Sequence, residues 1–176
     1  MNYTRDYLMS AAIFGMFSFC WLGWAQEKPR AEWRLWLGIT SAIAFILGIA
    51  GGVLSYLHWN DISILKQNSS LHWFIIIFFS EILLIAIGAV FLLVKKHSTW
   101  VSLWVSFVVA IHFIGLKFVF ADSSLFLLAF LMLLVTIGAV PLAKHFEVAP
   151  SAILGIGNGV CLLAFSILSF GRFILT

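Results

Sequence analysis

The chain has 176 residues, of which 63% are hydrophobic and only 10% are charged. Soluble domains are about 45–50% apolar and about 25% charged, so the composition excludes a soluble fold and makes lipid the expected solvent for most of the surface. The net charge is only +3, and the basic residues are scattered over short loops. Nucleic-acid binding, which needs a clustered basic surface, is therefore not expected.

Six apolar runs follow one another along the chain, each long enough for a membrane-spanning helix. A helix that rises about 1.5 Å per residue needs about 20 residues to cross ~30 Å of hydrocarbon. The runs do not alternate apolar with polar residues, as barrel strands do. The sequence therefore predicts an all-α integral membrane protein, a six-helix antiparallel bundle with short loops that forms one transmembrane domain over residues 1–176. The predicted spans cover about residues 7–25, 36–59, 71–94, 100–120, 125–142 and 150–172.

The first run can be interpreted as a cleaved signal peptide or as a retained helix. Arg5 precedes it, but the neighbouring Asp6 cancels that charge. Trp21, Gly23 and Trp24 also occupy the place where a small-x-small cleavage site would lie. These residues favour a retained first helix.

Two pairs of glycines have a spacing that is typical of helix packing. Gly48 and Gly52 lie in the second run, and Gly155 and Gly159 lie in the sixth. A small-x-x-x-small pair lets the backbone of another helix approach closely. We therefore predict that all four glycines are helix-packing positions.

The fifth run is the least polar of the six, with Thr136 as its only hydroxyl side chain. Pro141 is expected to end it, because proline interrupts the hydrogen bonds of a helix. The apolar surface of this helix would suit contact with the lipid bilayer, a homo-oligomer or a membrane-protein partner equally well.

No metal, cofactor or enzyme signature is present. The two cysteines, Cys20 and Cys161, lie inside apolar runs and have neither a C-x-x-C nor a metal-ligand spacing, so both are predicted to be small buried hydrophobes. Gly-x-Ser-x-Gly, His-Glu-x-x-His and paired carboxylates on one helix are all absent. The sequence thus predicts no metal and no cofactor, and it favours a non-enzyme over an intramembrane enzyme.

Aromatic and basic residues suggest how the helices are placed in the membrane. Amphipathic indoles prefer the headgroup level, and the tryptophans fall near the ends of runs one to four. One surface would carry Trp21, Trp24, Trp33, Trp36, Trp100 and Trp104, and the other Trp59 and Trp73. The loops after helices one, three and five hold six Lys or Arg residues, against four on the other side. The positive-inside rule then predicts that both termini lie outside the cytoplasm.

Glu81 in the third run and His112 in the fourth are polar groups deep inside apolar segments. Ionisable residues in a membrane span are costly and mark functional sites by default. The two runs are antiparallel, so both residues lie roughly 12–15 Å below the same surface at about 1.5 Å per residue. His112 is therefore the nearest partner for Glu81, with Lys117 somewhat shallower on the same helix. A purely structural alternative has Glu81 hydrogen-bonded to Asn158 of helix six.

These observations leave two classes of function open. The first is a small-solute or proton-coupled transporter, or an accessory subunit of one, with Glu81, His112, Asn158 and Lys117 as the candidate substrate or proton site. The alternative is a membrane scaffold or partner-binding protein without transport or catalytic activity. The compact size and short loops predict a multi-pass protein of a plasma membrane, namely a bacterial inner membrane.

Overall fold

A computed structural model describes residues 4–66 and 69–175. Within these residues the protein contains helices and no strand, and six of the helices are long and apolar enough to cross a membrane. They are α1 (Thr4–Trp24), α2 (Trp33–Leu57), α3 (Ser70–Val94), α4 (Val101–Phe120), α5 (Ser124–Phe146) and α6 (Pro150–Ile174). Short 3₁₀ turns at Ile64–Lys66 and Ser98–Trp100 precede α3 and α4. The all-helical class and the six candidate spans agree with the sequence prediction.

The end of α5 differs from the prediction. Pro141 does not close the helix, which continues to Phe146. Proline removes only its own backbone hydrogen bond, and the remaining bonds carry the helix past it. The helix ends at Glu147, which adopts a left-handed conformation with φ 56° while its backbone N–H bonds to the carbonyl of Ala143. A residue in this conformation is a common helix terminator.

The helices do not pack in the order in which they follow one another. The helix α1 packs against α2 and α6, and α4 packs against α3 and α5, while α5 joins the two groups through α6. The helices α2 and α3 therefore lie at the two edges of the bundle although they are consecutive in the chain. Asp6 of α1 fixes the connection between them, because its carboxylate accepts bonds from the Ser63 hydroxyl at 2.6 Å and from the Ile64 backbone N–H at 2.7 Å.

Close helix contacts form at three of the four predicted glycines. A Cβ added at Gly48 would lie 2.8 Å from the sulfur of Met16, and one added at Gly159 would lie 2.7 Å from Leu22. At Gly155 it would overlap the backbone of α1. The prediction for Gly52 is wrong, because no atom lies within 4 Å of an added Cβ there. Gly51 takes its place, facing the backbone of Ala12.

The helix without buried residues is α3, not α5. Between Ser70 and Val94 no residue is buried, since α3 packs on α4 along one side only. The helix α5 instead contributes Leu128, Ala129 and Met132 to the main core. The surface that is free for lipid or a partner is therefore largest on α3, although the outer face of α5 is exposed as well.

Two further sequence predictions need correction. Cys20 is exposed rather than buried, because α1 turns its Ser18, Trp21 and Leu22 face to the core, while Cys161 is half-buried. Trp21 is only 5% exposed and belongs to the core, so it does not lie at the surface as an interfacial indole would. Trp36 and Trp73, by contrast, are well exposed near the beginnings of their helices, as the interfacial interpretation requires.

Candidate functional site

Glu81 of α3 and His112 of α4 face each other across the contact between the two helices. The Nδ1 atom of His112 lies 3.2 Å from the Oε2 atom of Glu81. Only 10% of the His112 side chain and 15% of the Glu81 side chain are exposed. Glu81 and His112 thus form a mostly buried pair of ionisable groups inside two neighbouring candidate membrane spans, where such groups are costly.

Two glycines let the helices come close enough for this contact. An added Cβ at Gly88 of α3 would overlap the indole of Trp104, whose Nε1–H donates to the backbone carbonyl of Leu84 at 3.0 Å. An added Cβ at Gly115 of α4 would lie 3.1 Å from Ile77. Small residues at both positions thus allow α3 and α4 to approach on either side of the pair.

The contact between the imidazole and the carboxylate is close but is not aligned as a hydrogen bond. The Nδ1 atom of His112 is buried and has no well-oriented hydrogen-bond partner among the described residues. The ring also lies close to the backbone of Ile77. A buried ring nitrogen that lacks an aligned partner has room for one hydrogen bond, which a water molecule or a polar group of a solute could supply.

A groove of about 350 Å³ opens beside the pair, which we call the α3–α4 groove. Among the described residues that line it, the polar side chains besides Glu81 and His112 are those of Ser80 and Trp104. Leu84, Phe107 and Ile111 line its mouth and are among the exposed hydrophobic residues of the protein. The pair therefore lies at the bottom of a mainly apolar groove that opens sideways between two helices. A polar centre of this kind suits a solute or partner with an apolar body and one polar group.

Asn158 is not part of this site. Its Nδ2 atom donates to the Ser106 hydroxyl at 2.8 Å, and Ser106 in turn contacts the Thr136 hydroxyl at 2.6 Å. Thr136 donates its own proton to the carbonyl of Met132, so Ser106 must be the donor to Thr136. The four groups form a directed chain that joins α6, α4 and α5. Sequence reasoning missed Ser106, although a hydroxyl inside an apolar run was a visible signal.

Lys117 also lies away from the pair. Its ammonium group is 4.8 Å from the ring centre of Phe118 and 5.9 Å from that of Phe126, near the beginning of α5. These contacts fit a side chain that bends toward the end of its helix with its charge over aromatic rings. The structure thus brings together Glu81 and His112 and separates both from Asn158 and Lys117.

A second polar centre, which the sequence did not reveal, lies where α4 and α6 end. The Asp122 carboxylate pairs with Arg172, and it also accepts bonds from the backbone N–H and the hydroxyl of Ser124 at 2.9 and 2.7 Å. Burial alone would raise the pKa of Asp122. The hydrogen bonds from Ser124 and Arg172, together with the positive charge of Arg172, outweigh burial and hold that pKa below its usual value.

The lowered pKa gives a prediction for stability against pH. An acid whose pKa is lower in the folded state stabilises the fold above its unfolded pKa, and this contribution is lost as the pH falls through the folded value. We expect Asp122→Asn to lower the melting temperature at pH 7 by roughly 2–4 °C, the shift that about 1 kcal/mol produces at this size. The difference from wild type should shrink below about pH 4. The other ionisable residues that line the same cavity are Arg172, Asp6 and Tyr7. They are present in both proteins, so the comparison reports on the charge of Asp122.

Thermal unfolding of detergent-purified protein at several pH values measures this effect. Glu32→Gln is the matched control, since it removes the exposed Arg30–Glu32 ion pair, whose side chains are 43% and 70% exposed. Such surface pairs contribute little, so this variant should melt with wild type at every pH. A pH-independent effect of Asp122→Asn would contradict the role of the ionised carboxylate.

The described residues define a helical protein with six candidate membrane spans and a carboxylate–imidazole pair inside two of them. No group of three or more His, Cys, Asp or Glu side chains within residues 4–66 and 69–175 converges as a metal site would. No protein-family model, curated protein or solved structure matches the chain. The function must therefore be inferred from the site itself.

Proposed function

We propose that the protein is a multi-pass protein of a plasma membrane, the inner membrane of a bacterium, and that it is a proton-coupled transporter of a small solute or an accessory subunit of one. The observation that carries this proposal is the Glu81–His112 pair, with 3.2 Å between the two groups and both side chains mostly buried. Paired acidic and imidazole side chains inside membrane spans are the usual components of proton relays. Proton binding at the pair would change its net charge by one unit.

The packing of α3 supplies a way to couple that charge to a movement. The helix packs on α4 and has no buried residue of its own, so little apolar contact opposes a shift of α3 relative to α4. A change in the charge of the pair alters the attraction across this interface. Such a shift would widen or narrow the α3–α4 groove, which is the step that a transport cycle needs.

Proton flux in liposomes that contain the purified protein and an internal pH dye tests this proposal. A panel of small solutes is added outside, and solute-dependent acidification is recorded. We expect a solute that drives acidification with wild type to lose at least about tenfold of that rate with Glu81→Gln, because general acid–base groups contribute factors of this size or more. Glu27→Gln, which makes the same chemical change in the loop after α1, should keep the wild-type rate.

Infrared spectra recorded during a pH titration give a second measurement that needs no solute. A carboxyl band that changes with pH in wild type and in Glu27→Gln but is absent from Glu81→Gln would show proton exchange at Glu81. Identical spectra for wild type and Glu81→Gln would contradict the proposal. So would a wild-type rate of solute-driven flux in the Glu81→Gln variant.

The second candidate is a membrane scaffold or partner-binding protein without transport. It is favoured by one specific observation, the absence of buried residues along the whole of α3. A partner helix with one polar side chain would fill the α3–α4 groove and cover this surface. Under this alternative Glu81→Gln would weaken association with the partner and would leave liposome proton flux at background for every variant.

A further inference from the structure

A polar cavity lies at the surface where α1 and α5 begin and where α4 and α6 end, well apart from the α3–α4 groove. Its volume is about 340 Å³, at the lower end of the range of about 300–1,000 Å³ that is typical of small-molecule sites. Its residues come from four of the long helices and from the turn at Ile64. We call it the surface cavity. Neither Glu81 nor His112 lines it, so the surface cavity is separate from the site proposed for transport.

The charges around the surface cavity are unequal. It is lined by two carboxylates, Asp6 and Asp122, and by one guanidinium, that of Arg172. Arg172 is paired with Asp122, so these two charges compensate each other. Asp6 accepts hydrogen bonds from the neutral groups of Ser63 and Ile64, and no ion pair to Asp6 is present among residues 4–66 and 69–175. The charge of Asp6 at the rim is therefore not neutralised by an ion pair within the described residues.

The Asp6 carboxylate is also held in a fixed position and can accept further hydrogen bonds. Each of its oxygens accepts one bond, at 2.6 and 2.7 Å, and an ionised carboxylate can accept about four. The two bonds fix the rotamer and leave acceptor positions for a further donor. A preorganised anion of this kind binds a charged N–H donor more strongly than a neutral one.

The deeper part of the surface cavity is apolar and aromatic. Phe14, Leu125 and Phe165 are buried side chains that line it. The Phe14 and Phe165 rings are perpendicular at 6.2 Å between centroids, an arrangement that fixes both rings. Tyr7 and Phe120 add two more aromatic rings to the lining. Aromatic rings attract cations as well as apolar groups.

We propose that the surface cavity binds a small organic cation, with its ammonium group at the Asp6 carboxylate and its apolar body on Phe14, Leu125 and Phe165. A free anion is disfavoured, because the guanidinium of Arg172 is already paired with Asp122 and the described lining holds no other cationic side chain. The ammonium group can belong to a soluble amine or to the headgroup of an aminophospholipid, since both present the same chemistry at a membrane surface.

Calorimetric titration of the purified, delipidated protein with phenethylamine tests the proposal. This probe carries an ammonium group on an apolar aromatic body, while 2-phenylethanol and phenylacetate are its neutral and anionic counterparts. We expect phenethylamine to bind at least about tenfold more tightly than either counterpart, because only its charge complements Asp6. Equal binding of the amine and the alcohol would overturn the proposal, and so would the absence of amine binding.

Two variants assign the binding to this cavity. Asp6→Asn should lower the affinity for phenethylamine about tenfold or more, whereas Asp61→Asn removes the same charge at the same surface outside the lining and should keep wild-type affinity. Ser10→Phe keeps every charge but fills the cavity, so it should also abolish binding, and it tests the site even if Asp6→Asn disturbs the Ile64 turn. Equal losses in Asp61→Asn and Asp6→Asn, or undiminished binding in Ser10→Phe, would overturn the proposal.

Nanodiscs of two compositions distinguish the two sources of the ammonium group. Amine binding that is equal in phosphatidylglycerol discs and in discs that also contain phosphatidylethanolamine assigns the site to a soluble amine. Binding that phosphatidylethanolamine suppresses assigns the site to the lipid headgroup. Glu81→Gln should bind phenethylamine like wild type, so a failure of the transport proposal and a failure of this proposal give different results.

Discussion

Replacement of Gly155 by leucine is expected to destabilise the protein by about 3 kcal/mol or more, because overpacking against a rigid backbone forces two helices apart. A Cβ added at Gly155 would overlap the backbone carbonyl oxygen of Trp21 on α1 and would lie 2.5 Å from the backbone nitrogen of Ala25, directly after α1. The obstacle is backbone, which cannot turn away as a flexible side chain can. The substitution must therefore separate α1 from α6 at this level.

The loss extends beyond the contact itself, because hydrogen bonds between α1 and α6 depend on the same close approach. Ser18 donates to the carbonyl of Gly159 at 2.7 Å, and Ser166 donates to the carbonyl of Ala11 at 2.8 Å. Both serines are fully buried. Separation of the helices would leave these polar groups buried without partners, which is costly.

Gly52→Leu is the matched control, with the same substitution on a candidate membrane span. No atom lies within 4 Å of a Cβ at Gly52, so this variant should stay within about 0.5 kcal/mol of wild type. Unfolding in a detergent mixture, followed by circular dichroism, measures both changes. Equal stability of the two variants would show that the α1–α6 contact at Gly155 does not limit stability.

The contrast between Gly51 and Gly52 shows what the sequence alone could not predict. Residues three and four positions apart share a face of a helix, so Gly48 can be grouped with Gly51 or with Gly52 on spacing alone. The packing of Ala12 against Gly51 makes the choice, and α1 supplies that information. Helix spans were predictable because the length of an apolar run is a property of one segment. Packing faces were not, because they depend on a second helix.

The candidate site shows the same difference between properties of one helix, which could be predicted, and properties of two packed helices, which could not. The rise per residue placed Glu81 and His112 at one depth in the membrane. It does not give the rotation of α3 and α4 about their axes, which decides whether the two side chains face each other. Asn158 was placed near Glu81 for lack of this rotation, whereas it bonds to Ser106 on another face of α4. The Asp122–Arg172 pair was missed although a signal existed, since α4 and α6 must end at the same surface of an antiparallel bundle.

The pairing of Glu81 with His112 predicts a non-additive double mutant. We expect Glu81→Gln and His112→Ala each to lower the free energy of unfolding by about 1 kcal/mol, because the remaining polar group loses its partner in an apolar setting. The double variant should lose less than the sum of the two. Coupling between polar groups in membranes averages about 0.6 kcal/mol and reaches about 1.7, so we expect a coupling energy within that range.

The control cycle combines Glu81→Gln with Ser166→Ala, which removes the hydrogen bond from α6 to Ala11 on α1. The helices α1 and α6 lie away from α3 in the bundle, so these two changes should add. Strict additivity in the Glu81–His112 cycle would contradict the pairing, whatever the transport measurements show. Coupling in that cycle together with additivity in the control would assign the interaction to the contact between α3 and α4. The cycle reports on stability alone, so a pair that only holds two helices together and a pair that also moves protons give the same coupling. Only the second predicts a loss of flux in Glu81→Gln beyond what its lowered stability explains.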